Sequence, residues 1–164
     1  MKSIAEALIK ITHQRLIEES AERIKICLKE LSSEEIWRNV HGNHNSVGNL
    51  IQHLIGNVSQ YILSGLGGHE DLRERQKEFD HKSNLSGEEL SRQIDQLMQE
   101  VSQVLNSLKE EDLLRVKQVQ CFDMNVMDII IHVIEHFSYH TGQIVFYTKY
   151  LKNLDTGFYS NMDL

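Results

Sequence analysis

Apolar side chains recur at helical spacing through most of the chain, and polar stretches break the pattern into four blocks. Residues 3 to 31 predict a first helix, with Ile4, Leu8 and Ile11 and then Ile17, Ala21, Ile24, Leu28 and Leu31 on its apolar side. The stripe slips around Arg15, which predicts a bend or a change of packing partner there. Ser32-Ser33-Glu34-Glu35 ends this helix and offers a new cap before Ile36 and Trp37. After a polar connection from Arg38 to Ser46, a cap at Asn45 or Ser46 opens a second helix from about Val47 to Leu63. Its apolar face is Val47, Leu50, Ile51, Leu54, Val58, Tyr61 and Ile62.

Ser64 to Ser86 contains Gly65, Gly67 and Gly68, then a charged run through Asp80-His81-Lys82. A link of about 20 residues exceeds what antiparallel helix neighbours need, so it reads as a crossover. A helical turn of its own is expected around Leu72 to Phe79. Ser86 with Glu89 three residues later is a capping-box start. From it Leu90, Ile94, Leu97, Val101, Val104 and Leu108 give an unbroken helical stripe. Residues 109 to 123 are irregular, and Leu114 to Phe122 alternates enough for a short extended piece. A last helix follows from about Met124 to Leu151. The expected fold is all-α, a four-helix bundle with one long crossover connection between helices 2 and 3, as a single domain over residues 1–164.

Composition narrows the function classes. The chain has 164 residues, 40% hydrophobic and 25% charged, and no proline to interrupt long helices. Its mean hydropathy of −0.38 disfavours both disorder and membrane insertion. A formal net charge of −7 argues against nucleic acid as a partner, because phosphate neutralisation requires clustered Lys and Arg. No secretory signal and no membrane-length apolar window is visible, so the expected location is cytoplasmic. Cys27 and Cys121 read as free thiols, Cys27 within a helical apolar stripe.

Candidate chemistry concentrates in the last helix. His132, His136 and His140 recur every fourth residue inside Ile-Ile-Ile-His-Val-Ile-Glu-His-Phe-Ser-Tyr-His-Thr-Gly-Gln-Ile. An i, i+4 pair lies on one helix face, one turn apart, where two imidazoles can grip one metal ion. With the apolar face centred on Val126, Ile130, Val133, Phe137 and Ile144, His140 falls roughly 70°, His136 roughly 110° and His132 roughly 150° from its middle. His140, His136 and Gln143 therefore share one flank, and His132 points furthest outward. A third ligand must come from elsewhere, and the second helix offers His53. That residue lies roughly 130° from the middle of its own apolar face, together with Asn49, Gly56, Asn57 and Gln60, which directs it to a groove at the bundle's edge. The alternative is that these are surface or interface histidines. His41, His44, His69 and His81 lie in polar links and form no constellation.

Two segments carry a resemblance. Asn45-Ser46-Val47-Gly48-Asn49-Leu50-x-x-His53-Leu54-x-Gly56-Asn57, with His136-x-x-x-His140-x-Gly142-Gln143-Ile144, resembles the DinB-like superfamily, which includes the YfiT-like metal-dependent hydrolases. The resemblance runs from the first helix to Tyr150. It implies that His53, His136 and His140 are the three ligands of a metal ion, with His132 at a position that often carries a non-ligating histidine. Thr141 stands where many relatives have arginine.

A three-histidine set leaves the ion its full charge and open coordination positions, which points to chemistry and not to a closed structural site. Zinc is the default divalent ion, with nickel, manganese, iron and cobalt as alternatives. Asn49, Asn57, Glu135 and Gln143 are the expected side chains to orient the ligands. Relatives include transferases that use low-molecular-weight thiols, so the resemblance implies metal activation of a thiol for attack on an electrophile, or of water for hydrolysis. The alternative is a non-catalytic helical homodimer paired through the last helix, with Phe146, Tyr147 and Tyr150 in the contact.

Overall fold

In the computed structural model, which describes residues 3–39, 45–80 and 84–158, the four periodic stretches form four helical rods. The first joins α1 (Ile4–Thr12), a π-helical segment (His13–Ala21) and α2 (Glu22–Glu30) without a break. A short α3 (Ser33–Ile36) follows. The second rod joins α4 (Val47–Val58) to a π-helical segment (Ser59–Ser64). The third is α6 (Gly87–Ser107) and the fourth α7 (Val126–Lys152), with α5 (Arg75–Asp80) in the long link between the second and third. The first rod packs on α6 and α7, and the second rod packs on the same two helices.

The π-helical segment of the first rod explains the slip around Arg15 and corrects its apolar face. Closing the hydrogen bond over five residues slows the rotation per residue, so steps of four stay on one side of the rod. Thr12, Leu16, Ser20, Ile24 and Leu28 are accordingly all buried. Ile4 and Ile11, assigned inward by ordinary α-helical phase, are 65% and 52% exposed, and Ala5 turns inward instead. Thr12 meets the core because its hydroxyl donates to the carbonyl of Leu8 at 2.7 Å.

The remaining stripes fold as their spacing requires. All seven apolar positions of the second helix are buried, as are Leu90, Ile94, Leu97, Val101 and Val104 of α6 and Val126, Ile130, Val133, Phe137 and Ile144 of α7. Starts follow the caps: Ser46 with Asn49 and Ser86 with Glu89 form reciprocal capping boxes, and Asn125 caps α7 at the amide of Asp128. Cys27 is fully buried, and burial pushes its thiol above the ordinary range, against the pull of a hydrogen bond with Thr148.

The stretch before α7 contains an antiparallel hairpin, β1 (Val116–Val119) with β2 (Phe122–Asn125). It is the only sheet among the described residues. Val119 pairs with Phe122, which leaves Gln120 and Cys121 as the turn, with Gln120 in the left-handed region at φ 57°. The link also contains the expected helical turn: α5 (Arg75–Asp80) overlaps Leu72 to Phe79. Most of the polar connection before α4, with His41 and His44, and also His81 in the link, lie outside the described residues. Among the described residues no helix is long and apolar enough to cross a membrane.

Candidate metal centre

Helix α7 places His136 and His140 one turn apart, with ring centroids 4.6 Å from each other. α4 packs alongside and brings His53 against both, at centroid distances of 4.9 Å from His136 and 5.2 Å from His140. One nitrogen from each ring lies within 4.8 Å of the others, and His53 Nε2 is 2.8 Å from His136 Nε2. Nitrogens bound to one tetrahedral ion at about 2.0–2.1 Å stand about 3.4 Å apart, a spacing inside that range. Three imidazoles of this kind fit a divalent transition ion, and small ring movements would complete the set.

The ring tautomers follow from what surrounds each nitrogen. His53 Nδ1 lies 2.8 Å from Glu78 Oε2 and 3.2 Å from a terminal nitrogen of Arg73; the carboxylate, which only accepts, makes the shorter contact, so Nδ1 carries the proton and donates it to Glu78. That leaves the Nε2 lone pair facing the cluster. His140 Nδ1 lies 2.7 Å from Gln143 Oε1, which likewise frees its Nε2. Burial, followed by the nearby charges of the other rings, lowers the pKa of His136 to about 4, and burial outweighs the Gln143 hydrogen bond in lowering that of His140. Both rings are therefore neutral at neutral pH, the form of imidazole that can bind a metal ion.

Glu78 comes from α5, in the long link, and its carboxylate is gripped by Arg73. Arg73 Nε donates to Oε1 at 2.7 Å and a terminal nitrogen donates to Oε2 at 3.0 Å. The side chains of Arg73 and Glu78 are only 5% and 9% exposed. Burial would raise the carboxyl's pKa, but the hydrogen bonds from His53 and Arg73 and the guanidinium charge outweigh it, so Glu78 titrates below the ordinary range. The other terminal nitrogen of Arg73 donates to Gln60 Oε1 at 2.9 Å. The same oxygen takes a 2.6 Å hydrogen bond from Gln120 at the hairpin turn, which ties the hairpin to this network.

The edge position expected for His53 is thus covered by the link, and His53 ends up 6% exposed. The other side chains expected near the ligands divide. Gln143 contacts His140 directly. Asn49 acts at one remove, its amide donating to the backbone carbonyl of Glu78 at 2.8 Å. Asn57 hydrogen-bonds no ligand histidine among the described residues, and its buried Oδ1 has no partner there. Glu135 is exposed. His132 lies against Tyr61, with centroids 4.6 Å apart, and stacks on His136 at 5.7 Å, outside the three-nitrogen cluster. Thr141 is buried and its hydroxyl donates to the carbonyl of Phe137, so this side chain faces the core.

A family model described as "Protein of unknown function (DUF1572)" matches residues 3–160. The chain belongs to the DUF1572 family. Its fold is the DinB-like one: a crystal structure of a DinB-like protein from Bacillus cereus superposes with a TM-score of 0.66 over 85% of this chain and 89% of that one, at 17% identity. The DinB-like protein YjoA of Bacillus subtilis gives the same TM-score of 0.66 over 91% and 94% of the two chains, at 13% identity. No curated protein matches this DUF1572 chain. At such identities the likeness carries the fold, and the chemistry rests on the histidine cluster.

Proposed function

We propose that this DUF1572 protein is a metal-dependent enzyme in which His53, His136 and His140 hold one divalent ion, zinc by default. The observation that carries the reading is the convergence of three imidazoles from two helices, two of them with their outer nitrogens hydrogen-bonded so that Nε2 is left to ligate. An ion held by three neutral ligands would lower the pKa of a coordinated thiol or water toward neutrality. Transfer of a low-molecular-weight thiol to an electrophile and hydrolysis are both open to the same site, and the turnover test below separates them. His53 forms the buried wall, while the half-buried His136 and His140 border the accessible side, where Tyr139 lies 5.0 Å from His140 and is 65% exposed.

The test starts with protein purified without an affinity tag from cells grown in ordinary medium. Near-stoichiometric bound metal, lost in His53→Ala, His136→Ala and His140→Ala with helicity retained, supports the site. Turnover of a generic electrophile only when a small thiol is present assigns the transferase, and turnover without thiol assigns the hydrolase. Absence of metal and of any turnover across zinc, nickel, manganese, iron and cobalt contradicts the enzyme reading.

The non-catalytic dimer is favoured by a different observation. Tyr139, Phe146 and Tyr150 are 65%, 73% and 79% exposed and spaced seven and four residues apart, an aromatic strip along one side of α7. Pairing through it is compatible with either function. Sedimentation of wild type against Phe146→Ser with Tyr150→Ser checks it, with a shift from dimer to monomer expected.

A further inference from the structure

The second rod carries no charged residue between Val47 and Ser64, yet one side of it is polar. Asn49, His53, Gly56 and Gln60 follow one another at intervals of four, three and four, so they form one continuous strip. Each of them meets the segment from Asp71 to Glu78. Asn49 holds the carbonyl of Glu78, His53 its carboxylate, and Gln60 both Asp71 Oδ2 at 2.7 Å and the Arg73 guanidinium. Gly56 supplies room: a Cβ there would collide with Glu78 Oε1 and press on Arg73 Nε. The strip is a seat for this arm.

Among the arm's described residues little apolar surface is buried. Leu72 is 77% exposed, and α5 has six residues. Phe79 is half-buried and reaches the same seat, its ring 5.1 Å from that of His53. A segment with few buried apolar contacts opens at low cost, so its polar contacts decide its population.

We infer that Glu78 and Arg73 are positioning residues for the metal site and that docking of the arm and occupancy of the site are coupled. The inference rests on the three-histidine reading. The docked arm accepts the Nδ1 proton of His53 and thereby fixes Nε2 toward the cluster. An undocked arm leaves His53 free to choose either tautomer and to rotate. Coupling of this kind is reciprocal: whatever docking adds to ion affinity, the ion adds to docking. The arm is the element through which a partner or a modification could load or release the ion without touching a ligand.

The experiment measures zinc affinity by competition with a chromophoric chelator, and amide hydrogen exchange over residues 71–80 with and without zinc. The variants are Glu78→Ala, Glu78→Gln, Arg73→Gln and His53→Ala, each checked by circular dichroism. Loss of an orienting partner should weaken zinc by about 10- to 100-fold in Glu78→Ala. Glu78→Gln keeps an accepting oxygen and should recover part of that loss. Arg73→Gln leaves Glu78 and the three histidines intact, so a weakened affinity there shows that the guanidinium, which grips Glu78 and lies 3.2 Å from His53 Nδ1, helps position the site. Zinc should slow exchange of the arm in wild type and leave it unchanged in Glu78→Ala. In the zinc-free protein, long-range ¹H–¹⁵N spectra should show the proton of His53 on Nδ1 in wild type and divided between Nδ1 and Nε2 in Glu78→Ala, a change that a merely structural arm would not produce. Wild-type affinity in all Glu78 and Arg73 variants, with arm exchange indifferent to zinc, overturns the inference while the metal site stands. Failure of wild type to bind zinc, or full binding by His53→Ala, brings down the three-histidine reading and this inference with it.

Discussion

The two halves of the histidine cluster are built in opposite ways. On α7, His136 and His140 are paired by the period of a single helix, and Gln143, three residues beyond His140, orients that ring from the same helix. On α4, His53 depends on residues 20 and 25 positions away, Arg73 and Glu78, delivered by a link and held in a seat of side chains on α4. The first half is local and persists wherever the helix persists. On the inference drawn above, the second is complete only while the arm is docked. A histidine pair can thus be encoded in eight residues, whereas the histidine that closes the cluster draws on a network spread from Asn49 to Gln120.

If the halves differ in this way, they should break differently. The largest effect is expected from the ligands themselves: replacing His53, His136 or His140 by Ala should reduce bound metal to background, read by elemental analysis of tag-free protein. Gly56→Ala comes next. It leaves every ligand and every hydrogen-bonding group in place but fills the space of the Glu78 carboxylate, so zinc affinity should fall at least tenfold, approaching the cost of removing a ligand's orienting partner. Gln143→Leu removes an exposed partner that water can replace, and should cost only a few-fold in the same chelator competition. His132→Ala should be smallest, with metal content unchanged, because His132 stands outside the three-nitrogen cluster.

Acidity gives a further test of the α7 half. His136 in the folded, metal-free protein has a pKa lowered to about 4 from the usual 6.5, so below pH 6.5 the unfolded chain takes up a proton that the folded protein refuses. Folding stability contributed by this ring is therefore complete above pH 6.5 and is lost as pH falls toward 4. Chelator-treated protein should show a falling thermal midpoint across that window, and His136→Gln should flatten the dependence.

What the sequence made legible follows the same division. Spacing alone placed the four rods, because each apolar stripe buries one face of a regular helix, and it paired His136 with His140. The phase of His53 pointed it away from the core, and the structure keeps that phase while covering it with the arm. Glu78 was missed because Asp71 to Asp80 reads as a solvated charged run, and nothing local distinguishes a carboxylate that turns inward. A signal existed on the other partner: the polar side of α4 carries Asn, His, Gly and Gln but no charge, an unusual surface for water and a natural one for a docked segment. The misplaced Ile4 and Ile11 have another cause. Both lie on the regular helix α1, joined to α2 through a π-helical segment with a different rotation per residue, so a stripe read at 100° per residue does not carry the phase of one across to the other.

The most direct test of the account is X-ray absorption spectroscopy of the zinc-loaded protein beside His53→Ala. Three imidazole nitrogens at about 2.0–2.1 Å in wild type, with the zinc signal of the variant reduced to background, are the result expected for an ion shared between α4 and α7. A wild-type spectrum with two imidazoles or fewer, or one that His53→Ala leaves unchanged, would contradict it.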